Sequence, residues 1–222
     1  MSKLIGMLQI RSFTFNAFQE NTYILFDETK ECVIIDPGCY EKDEEHELSE
    51  FIEDQDLTVK MLLNTHCHVD HVLGNYFVKE KYKVKLHIHP KDEPVLASVK
   101  VYAPVYGMAH YHETTPDVYL EENSTITFGN QALKVLFVPG HAPGHIAFYS
   151  SENKIVIGGD VLFRNSIGRT DLPGGNFDTL INSIHQKLFT LPDDVVVYPG
   201  HGPETNIGFE KKTNPFCALT LR

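Results

Sequence analysis

The sequence predicts an α/β protein in which layered β-sheets are covered by helices. Short apolar runs typical of strands alternate with amphipathic stretches typical of helices along the chain. The 222 residues are 42% hydrophobic and 22% charged, a composition that supports a buried core and excludes disorder, collagen-like repeats and disulfide scaffolds. Because no repeat, low-complexity tract or Gly/Ser linker interrupts the pattern, we expect a single domain over residues 1–222.

The individual elements follow from local patterns. Strands are predicted at 21–28 and 32–36, ended by Pro37-Gly38, and then at 58–63, 84–88, 126–128, 133–138, 146–149, 154–157 and 195–198. Helices are predicted at 41–56, 75–81 and 178–189, the last with Asp178 as its N-cap. Residues 90–117 lack a clean period and are interpreted as a short helix followed by an ordered loop.

Charge and cysteine usage narrow the class of protein. A net charge of −11 argues against a nucleic-acid partner, because phosphate binding needs clustered Lys and Arg. No apolar run approaches the ~20 residues of a membrane span, and the first ten residues are too interrupted for a signal peptide. Four cysteines without CxxC spacing favour a reducing compartment, so we expect a cytoplasmic protein that acts on small molecules.

Candidate metal ligands follow four of the predicted strands at their ends. They are His66, His68, Asp70 and His71 after 58–63, His141 after Pro139-Gly140, Asp160 after Gly158-Gly159, and His201 after Pro199-Gly200. Loops at the ends of buried strands are where a rigid scaffold presents reactive groups. Imidazole and carboxylate ligands suit zinc, iron or manganese, and seven of them are too many for one tetrahedral ion but suffice for two ions sharing a bridging oxygen.

The spacing inside the run His-Cys-His-Val-Asp-His predicts which of its ligands bind the same metal ion. In an extended chain, side chains at i and i+2 lie on the same side, so His66 and His68 can bind one ion with Asp70 close by. His71 points elsewhere unless the chain turns, which directs it to a neighbouring ion together with Asp70. Cys67 alternates away from the ligands and is interpreted as a small buried residue.

His145 is predicted to support the ligands through hydrogen bonds rather than to bind metal itself. It stands four residues after His141, but Pro143 and Gly144 between them exclude a shared helical face. The other histidines, at positions 46, 87, 89, 110, 112 and 185, are predicted to be structural or solvated, with a substrate-rim role as the alternative for 110 and 112.

Taken together, these motifs resemble those of the metallo-β-lactamase superfamily, in particular small hydrolases related to glyoxalase II. The matching segments are 65–71, 141–145, 159–160, 166–171, 198–203 and the tail 210–216, which cover essentially the whole chain. The resemblance implies an αββα sandwich of two facing mixed sheets, with helices outside and a metal cleft at one edge. It also implies two ligand sets joined by a bridging Asp160: His66, His68 and His141 for the first ion, and Asp70, His71 and His201 for the second.

The reaction that the resemblance implies is hydrolysis of a thioester by a binuclear metal centre. Hydroxide shared by two divalent ions would attack the thioester carbonyl, with zinc expected first and iron or manganese as alternatives. Asp70 would steer this hydroxide besides binding metal. A carboxylate at Asp160, where zinc β-lactamases often carry a cysteine, favours the thioesterase-like branch of the superfamily.

Candidate substrate contacts lie in the loops and the tail. Arg169 is expected either to bind a substrate carboxylate or to pair with Asp171. Lys211 and Lys212 are expected to meet an anionic end of the substrate or to remain solvated. Tyr102, Tyr106 and Tyr111 are expected to wall the cleft or to pack within the protein; these tyrosines lie in the loop region 90–117.

Two other functions stay open. Persulfide dioxygenases of the same superfamily look similar around 65–71 and 168–171 and hold one iron with residues corresponding to His66, His141 and Asp160, but this sequence departs from them at 200–203. A non-catalytic metal-binding module is the third hypothesis, against which the unbroken ligand set argues. Glyoxalase II carries an added C-terminal helical domain that supplies much of its glutathione site; with 21 residues after His201, we expect no such domain here.

Overall fold

A computed structural model describes residues 6–219 of the chain. The first sheet contains six strands, whose spatial order follows the chain: β1 (Gln9–Phe15), β2 (Glu20–Phe26), β3 (Glu31–Ile35), β4 (Thr58–Leu63), β5 (Leu86–Ile88) and β6 (Val118–Tyr119). The pairs from β1 to β3 are antiparallel and the pairs from β3 to β6 are parallel, so this sheet is mixed. Parallel neighbours need crossover connections, which the helices supply.

The second half of the chain forms a second mixed sheet. Its strands and a small ribbon are β7 (Thr125–Phe128), β8 (Gln131–Phe137), β9 (Ile146–Ser150), β10 (Ile155–Gly159), β11 (Leu162–Phe163), β12 (Ser166–Ile167), β13 (Val196–Pro199) and β14 (Thr205–Asn206). The sheet order is β14-β13-β10-β9-β8-β7, with β11 and β12 as a separate two-stranded ribbon. Strands β10 and β13 pair in parallel, so their carboxyl ends meet at the same edge.

Within residues 6–219, six α-helices accompany the sheets: α1 (Lys42–Asp54), α2 (Val69–Val72), α3 (Asn75–Tyr82), α4 (Glu93–Tyr102), α5 (Phe177–Ser183) and α6 (Ile207–Thr213). Turns of 3-10 helix at Pro90–Asp92 and Ala103–Tyr106 flank α4, and a π-helical segment at Ile184–Leu188 continues α5. None of the helices within residues 6–219 is long and apolar enough to cross a membrane.

Burial follows the two-residue period of the strands. In β2, Tyr23 and Leu25 pack between the two sheets against residues such as Phe148, whereas Ile24 packs on the other face among residues of α1 such as Leu48. A third apolar cluster joins α5 to the outer face of the second sheet. Helices therefore cover both outer faces of two stacked sheets, which confirms the αββα sandwich.

The main predicted strands and helices are present. The short elements β6, β11, β12, β14 and α2 were not predicted, and three further details differ from the prediction. Strand β1 was not expected, because only Phe13 and Phe15 of its seven residues are buried at the edge of the sheet. Helix α6 was not expected in the tail. The N-cap of α5 is Asn176 and not Asp178: the side chain of Asn176 accepts a hydrogen bond of 2.8 Å from the backbone N–H of Thr179.

Candidate metal centre

The seven candidate ligands converge at one edge of the sandwich, where strands of both sheets end. Strands β4, β10 and β13 each lead directly into a loop that carries candidate ligands, and His141 follows β8. Six of the seven residues form two groups in which the nitrogen or oxygen atoms all lie within 4.8 Å of one another: His66, His68 and His141, and Asp70, His71 and His201. A third group of the same kind joins Asp36 to His66 and His71. The first two groups are the ones that the family resemblance implies.

In the first group, three imidazole nitrogens face a common point. Nε2 of His141 lies 3.2 Å from Nε2 of His66 and 2.8 Å from Nδ1 of His68. Burial lowers the pKa of all three imidazoles, in the case of His68 to about 3. They are therefore neutral at pH 7, the form in which imidazole binds metal.

In the second group, a carboxylate joins two histidines. Oδ2 of Asp70 lies 3.1 Å from Nε2 of His201 and 3.6 Å from Nε2 of His71. Asp160 lies between the two groups, because its Oδ2 is 3.5 Å from Nε2 of both His141 and His201, and its Oδ1 is 3.5 Å from Nε2 of His71. A carboxylate in this position can contact ions in both groups.

A turn of the backbone divides the ligands of the His-Cys-His-Val-Asp-His run. The chain is still extended at His68, with φ −66° and ψ 155°, and His68 is the N-cap of the short helix α2. His66 and His68 therefore point to the same side, while α2 turns Asp70 and His71 toward the second group. Cys67 is fully buried, in keeping with its predicted packing role.

Four of the five histidines have a partner for the ring nitrogen that points away from the centre. Nδ1 of His66 lies 3.1 Å from Oγ1 of Thr65, and Nδ1 of His71 lies 3.2 Å from Oδ2 of Asp36. Nδ1 of His141 lies 2.8 Å from the carbonyl oxygen of Arg169, and Nδ1 of His201 lies 3.1 Å from the carbonyl oxygens of Phe18 and Gln19. Such bonds orient each ring and leave Nε2 available for a metal ion.

Asp36 is not among the candidate residues predicted from the sequence, yet its carboxylate contacts both Thr65 and His71. Its carboxylate accepts hydrogen bonds from the backbone N–H of Thr65 (2.7 Å) and from the Thr65 hydroxyl (2.5 Å), besides the contact with His71. Asp36 immediately follows β3 and has a positive φ of 49° ahead of Pro37. An acidic residue between a strand and Pro-Gly is a fifth case of the strand-end pattern, and this signal could have found it.

Two further buried acids come from distant parts of the chain. The carboxylate of Asp92 accepts hydrogen bonds from the backbone N–H of Cys67 (2.7 Å) and of Gly144 (2.6 Å), and so joins the two loops that carry the first group. Burial raises the pKa of Asp92 to about 6. Glu20 is also fully buried, with Oε1 3.8 Å from Nδ1 of His71. No local sequence signal marks either residue.

The donor set fits divalent cations. Nε2 of His71 and Oδ1 of Asp160 are buried and have no hydrogen-bond partner among the residues that the structure describes. Burial lowers the pKa of His71, but the charges of Asp70 and Asp160 raise it further, so that it lies well above the usual value. The two carboxylates therefore favour a positive charge at this position. Cations at the two groups would supply that charge and partner both atoms. Nitrogen and oxygen ligands of this kind suit zinc, iron or manganese.

His145 lies behind the first group. Its ring stacks on that of His66 with centroids 4.5 Å apart and an interplanar angle of 12°. Nε2 of His145 lies 3.1 Å from the carbonyl oxygen of Gly158, on the strand that precedes Asp160. The residue thus supports two candidate ligands and contributes no atom to either group.

We expect His145→Ala to weaken metal binding at the first group by about 10- to 100-fold, the usual cost of losing such a supporting contact. Metal titration of the metal-free protein measures this effect. His87→Ala is the matched control, because His87 is also buried and bonds the backbone of Lys85 at 2.9 Å. Equal losses in both variants would mean that His145 serves only packing.

A cleft of about 980 Å³ opens over the two groups. Tyr102 and Tyr106 line it, whereas Tyr111 packs against the core beneath α4. Arg169 also lines it, and its guanidinium forms two hydrogen bonds with Asp171, Nε to Oδ1 at 2.7 Å and Nη2 to Oδ2 at 2.8 Å. Of the two predicted alternatives for Arg169, pairing with Asp171 is the one observed.

Lys211 and Lys212, for which contact with a substrate and solvation are the two predicted alternatives, lie on helix α6. Neither lysine lines the cleft. Nζ of Lys211 donates to Oδ1 of Asp193 (2.6 Å) and to the carbonyl oxygen of Leu191 (3.0 Å). The pKa of Asp193 is lowered by its hydrogen bond from Lys211 and also by the charge of Lys212. Helix α6 thus directs both lysines toward the segment before β13.

Comparison with known proteins identifies the family. The family model described as the metallo-beta-lactamase superfamily matches residues 15–201. The chain belongs to the metallo-β-lactamase superfamily. One relative is the hydroxyacylglutathione hydrolase GloC of Haemophilus influenzae. It is 38% identical to this chain over 211 residues, which cover 94% of this chain and 98% of GloC.

Solved structures share the metallo-β-lactamase fold over nearly the whole chain. BLEG-1, described as a B3 metallo-β-lactamase, is 33% identical with a TM-score of 0.86, covering 94% of this chain and 99% of BLEG-1. TTHA1623 in a di-iron-bound form is 37% identical with a TM-score of 0.82, covering 93% of this chain and 99% of TTHA1623. The described activities of GloC and BLEG-1 differ, so membership of the superfamily alone does not determine the substrate.

Proposed function

We propose that this chain is a binuclear metallohydrolase that cleaves small-molecule thioesters. The observation that supports this most directly is the pair of ligand groups joined by Asp160 at the base of an open cleft. The di-iron form of TTHA1623 supports a centre with two ions, and the name of GloC supports a thioester substrate. Zinc is the ion that we expect first, with iron or manganese as alternatives.

In this proposal the chain holds the metals and orients the reactants. Bound divalent ions would lower the pKa of a shared water toward neutrality and polarise the substrate carbonyl. His66, His68 and His141 would hold one ion, and Asp70, His71 and His201 the other, with Asp160 between them. That Asp70 lines the cleft supports a second role for its carboxylate, in orienting the attacking water. Because a thiolate is a good leaving group, the chain needs no strong general acid.

Oxygen-dependent persulfide chemistry on a single iron is the second candidate. It needs His66, His141 and Asp160 side by side, and Nε2 of His141 does lie within 3.2 Å of His66 and 3.5 Å of Asp160. The second ligand group has no role in that reaction. The number of ions per chain therefore separates the two candidates.

The test counts metal and measures both reactions on the same preparation. Protein from cultures supplemented in turn with zinc, iron and manganese is analysed for ions per chain, for thiol release from thioesters and for persulfide-dependent oxygen uptake. We expect about two ions per chain and thiol release. One iron per chain with oxygen uptake, even under metal excess, would replace the hydrolase by the dioxygenase.

A further inference from the structure

The two ligand groups are positioned by different parts of the chain. Asp92 joins the loops of the first group through the backbone N–H groups of Cys67 and Gly144. The second group is instead contacted by residues 16–21, which form the four-residue turn between β1 and β2 and the first two residues of β2. We call this stretch the turn segment.

The turn segment contacts two ligands of the second group from behind. The side-chain amide of Asn16 donates a hydrogen bond of 3.0 Å to the backbone carbonyl oxygen of Asp70. The carboxylate of Glu20 is fully buried, with Oε1 3.8 Å from Nδ1 of His71. Within residues 6–219, no hydrogen bond of the turn segment reaches a ligand of the first group.

The third ligand of the second group, His201, depends most on the turn segment. The backbone carbonyl oxygens of Phe18 and Gln19 each lie 3.1 Å from its Nδ1. The side chain of His201 is 27% exposed, so packing alone does not fix it. The residue stands between Gly200 and Gly202, and Gly202 has a positive φ of 71°. Because glycine restricts the backbone little, contacts from outside the loop have to fix its conformation.

Asn21 supplies those contacts. Its side-chain Nδ2 donates hydrogen bonds to the carbonyl oxygens of Pro199 (3.1 Å) and Gly202 (2.8 Å). Its backbone N–H donates to the carbonyl oxygen of Gly200 at 2.7 Å. Three hydrogen bonds from one buried residue therefore hold the loop on both sides of His201.

We propose that Asn16 and Asn21 are positioning residues of the second ligand group, and that the turn segment sets the affinity of the second metal ion separately from that of the first. This inference rests on the proposed binuclear centre and identifies what controls its second ion. Asn21 acts through the loop of His201, and Asn16 acts through the backbone of Asp70. Supporting contacts of this kind contribute about 10- to 100-fold to metal affinity.

Competition between the zinc-loaded protein and a chelator of known affinity tests the inference, because it measures a dissociation constant for each ion. We expect Asn21→Ala to weaken binding of one ion by about 10- to 100-fold and to change the affinity of the other by less than about twofold. Asn16→Gly is the second variant, because glycine accepts the positive φ of 52° at this position and the turn can form without the side chain. It is expected to weaken binding of the same ion by about tenfold.

A double-mutant cycle with His201→Ala identifies the path of the effect. His201→Ala removes a ligand of the second group, so it also shows which dissociation constant belongs to that group. If Asn21 acts through His201, adding Asn21→Ala to His201→Ala changes both dissociation constants by less than about twofold, whereas independent effects would multiply. A general loss of stability would not produce this dependence.

Asn153→Ala is the matched control. Nδ2 of Asn153 also donates two side-chain hydrogen bonds, to Oε1 of Gln131 (3.0 Å) and Oγ of Ser150 (2.9 Å). Asn153 lies between β9 and β10, at the strand ends opposite the metal centre. We therefore expect this variant to bind both ions as tightly as the unaltered protein.

Equal losses at both ions, independent effects of Asn21→Ala and His201→Ala, or an equal effect of Asn153→Ala would overturn the inference. Thiol release from a thioester is measured separately on the unaltered, zinc-loaded protein. If the asparagine variants lose the second ion selectively but no thiol is released, the hydrolase proposal fails while the inference stands. If thiol is released but the variants lose both ions equally, only the inference fails.

Discussion

Replacing Asp160 by alanine is expected to reduce the metal content from about two ions to one or fewer per chain, and to slow thioester hydrolysis about a thousandfold or more. Asp160 lies within 3.5 Å of histidines from both ligand groups, so its loss affects both ions. Loss of metal polarisation removes several kcal/mol of transition-state stabilisation, which corresponds to a rate factor of this size. Elemental analysis and initial rates on one preparation measure both effects.

Asp160→Asn is the matched control for this prediction. It keeps the shape of the side chain and one acceptor oxygen but removes the charge, so we expect weaker metal binding and an intermediate rate. Circular dichroism should show the same secondary structure in both variants, because Asp160 lies at the edge of the sandwich and outside its three apolar clusters. Two tightly bound ions and an unchanged rate in Asp160→Ala would contradict a bridging role.

Replacing Asp92 by alanine is expected to lower the free energy of unfolding by about 3 kcal/mol, because two buried backbone N–H groups lose their acceptor. These groups belong to Cys67 and Gly144, in the loops that carry His66, His68 and His141. We therefore also expect weaker metal binding at the first group. Urea unfolding of the metal-free protein measures the stability separately from the contribution of bound metal.

Asp92→Asn separates hydrogen bonding from loss of side-chain volume. Its amide oxygen can accept one of the two hydrogen bonds, so a loss of about 1 kcal/mol is expected. Because burial raises the pKa of Asp92 to about 6, the charge itself carries a cost that the asparagine variant relieves. If Asp92→Ala unfolds at the same urea concentration as the unaltered protein, the two N–H groups have found other partners and the prediction is wrong.

Most of the fold is predictable from local sequence because its strands and helices have clear hydrophobic periods. Strand β2 illustrates this, since all seven of its residues are buried and the run from Tyr23 to Phe26 is continuously apolar. Strand β1 escapes prediction for the opposite reason: it lies at the sheet edge and its exposed residues depend on pairing with β2. Asn176 replaces Asp178 as the N-cap of α5 because cap geometry depends on where the incoming chain turns.

The candidate ligands are predictable because each follows a strand, and the ends of strands in one sandwich meet at common edges. His66 and His68 could even be assigned to one group from their spacing. The same pattern marks Asp36 but does not show which histidine it meets, and it marks neither Asp92 nor Glu20, because the partners of these acids lie far along the chain. The Nδ1 of His71 meets Asp36, 35 residues away, and the loop of Cys67 meets Asp92, 25 residues away.

The sequence by itself determined the fold class, the family resemblance and the residues that form the two ligand groups, because these depend on local periodicity and short motifs. Only the tertiary structure decided that buried carboxylates orient His71 and the loop of His66, and that Arg169 forms hydrogen bonds with Asp171. Those contacts depend on how strands from two sheets converge, and hydrogen bonds and ion pairs act only at a few ångströms. The number of residues between two groups along the chain does not predict the distance between them in the fold.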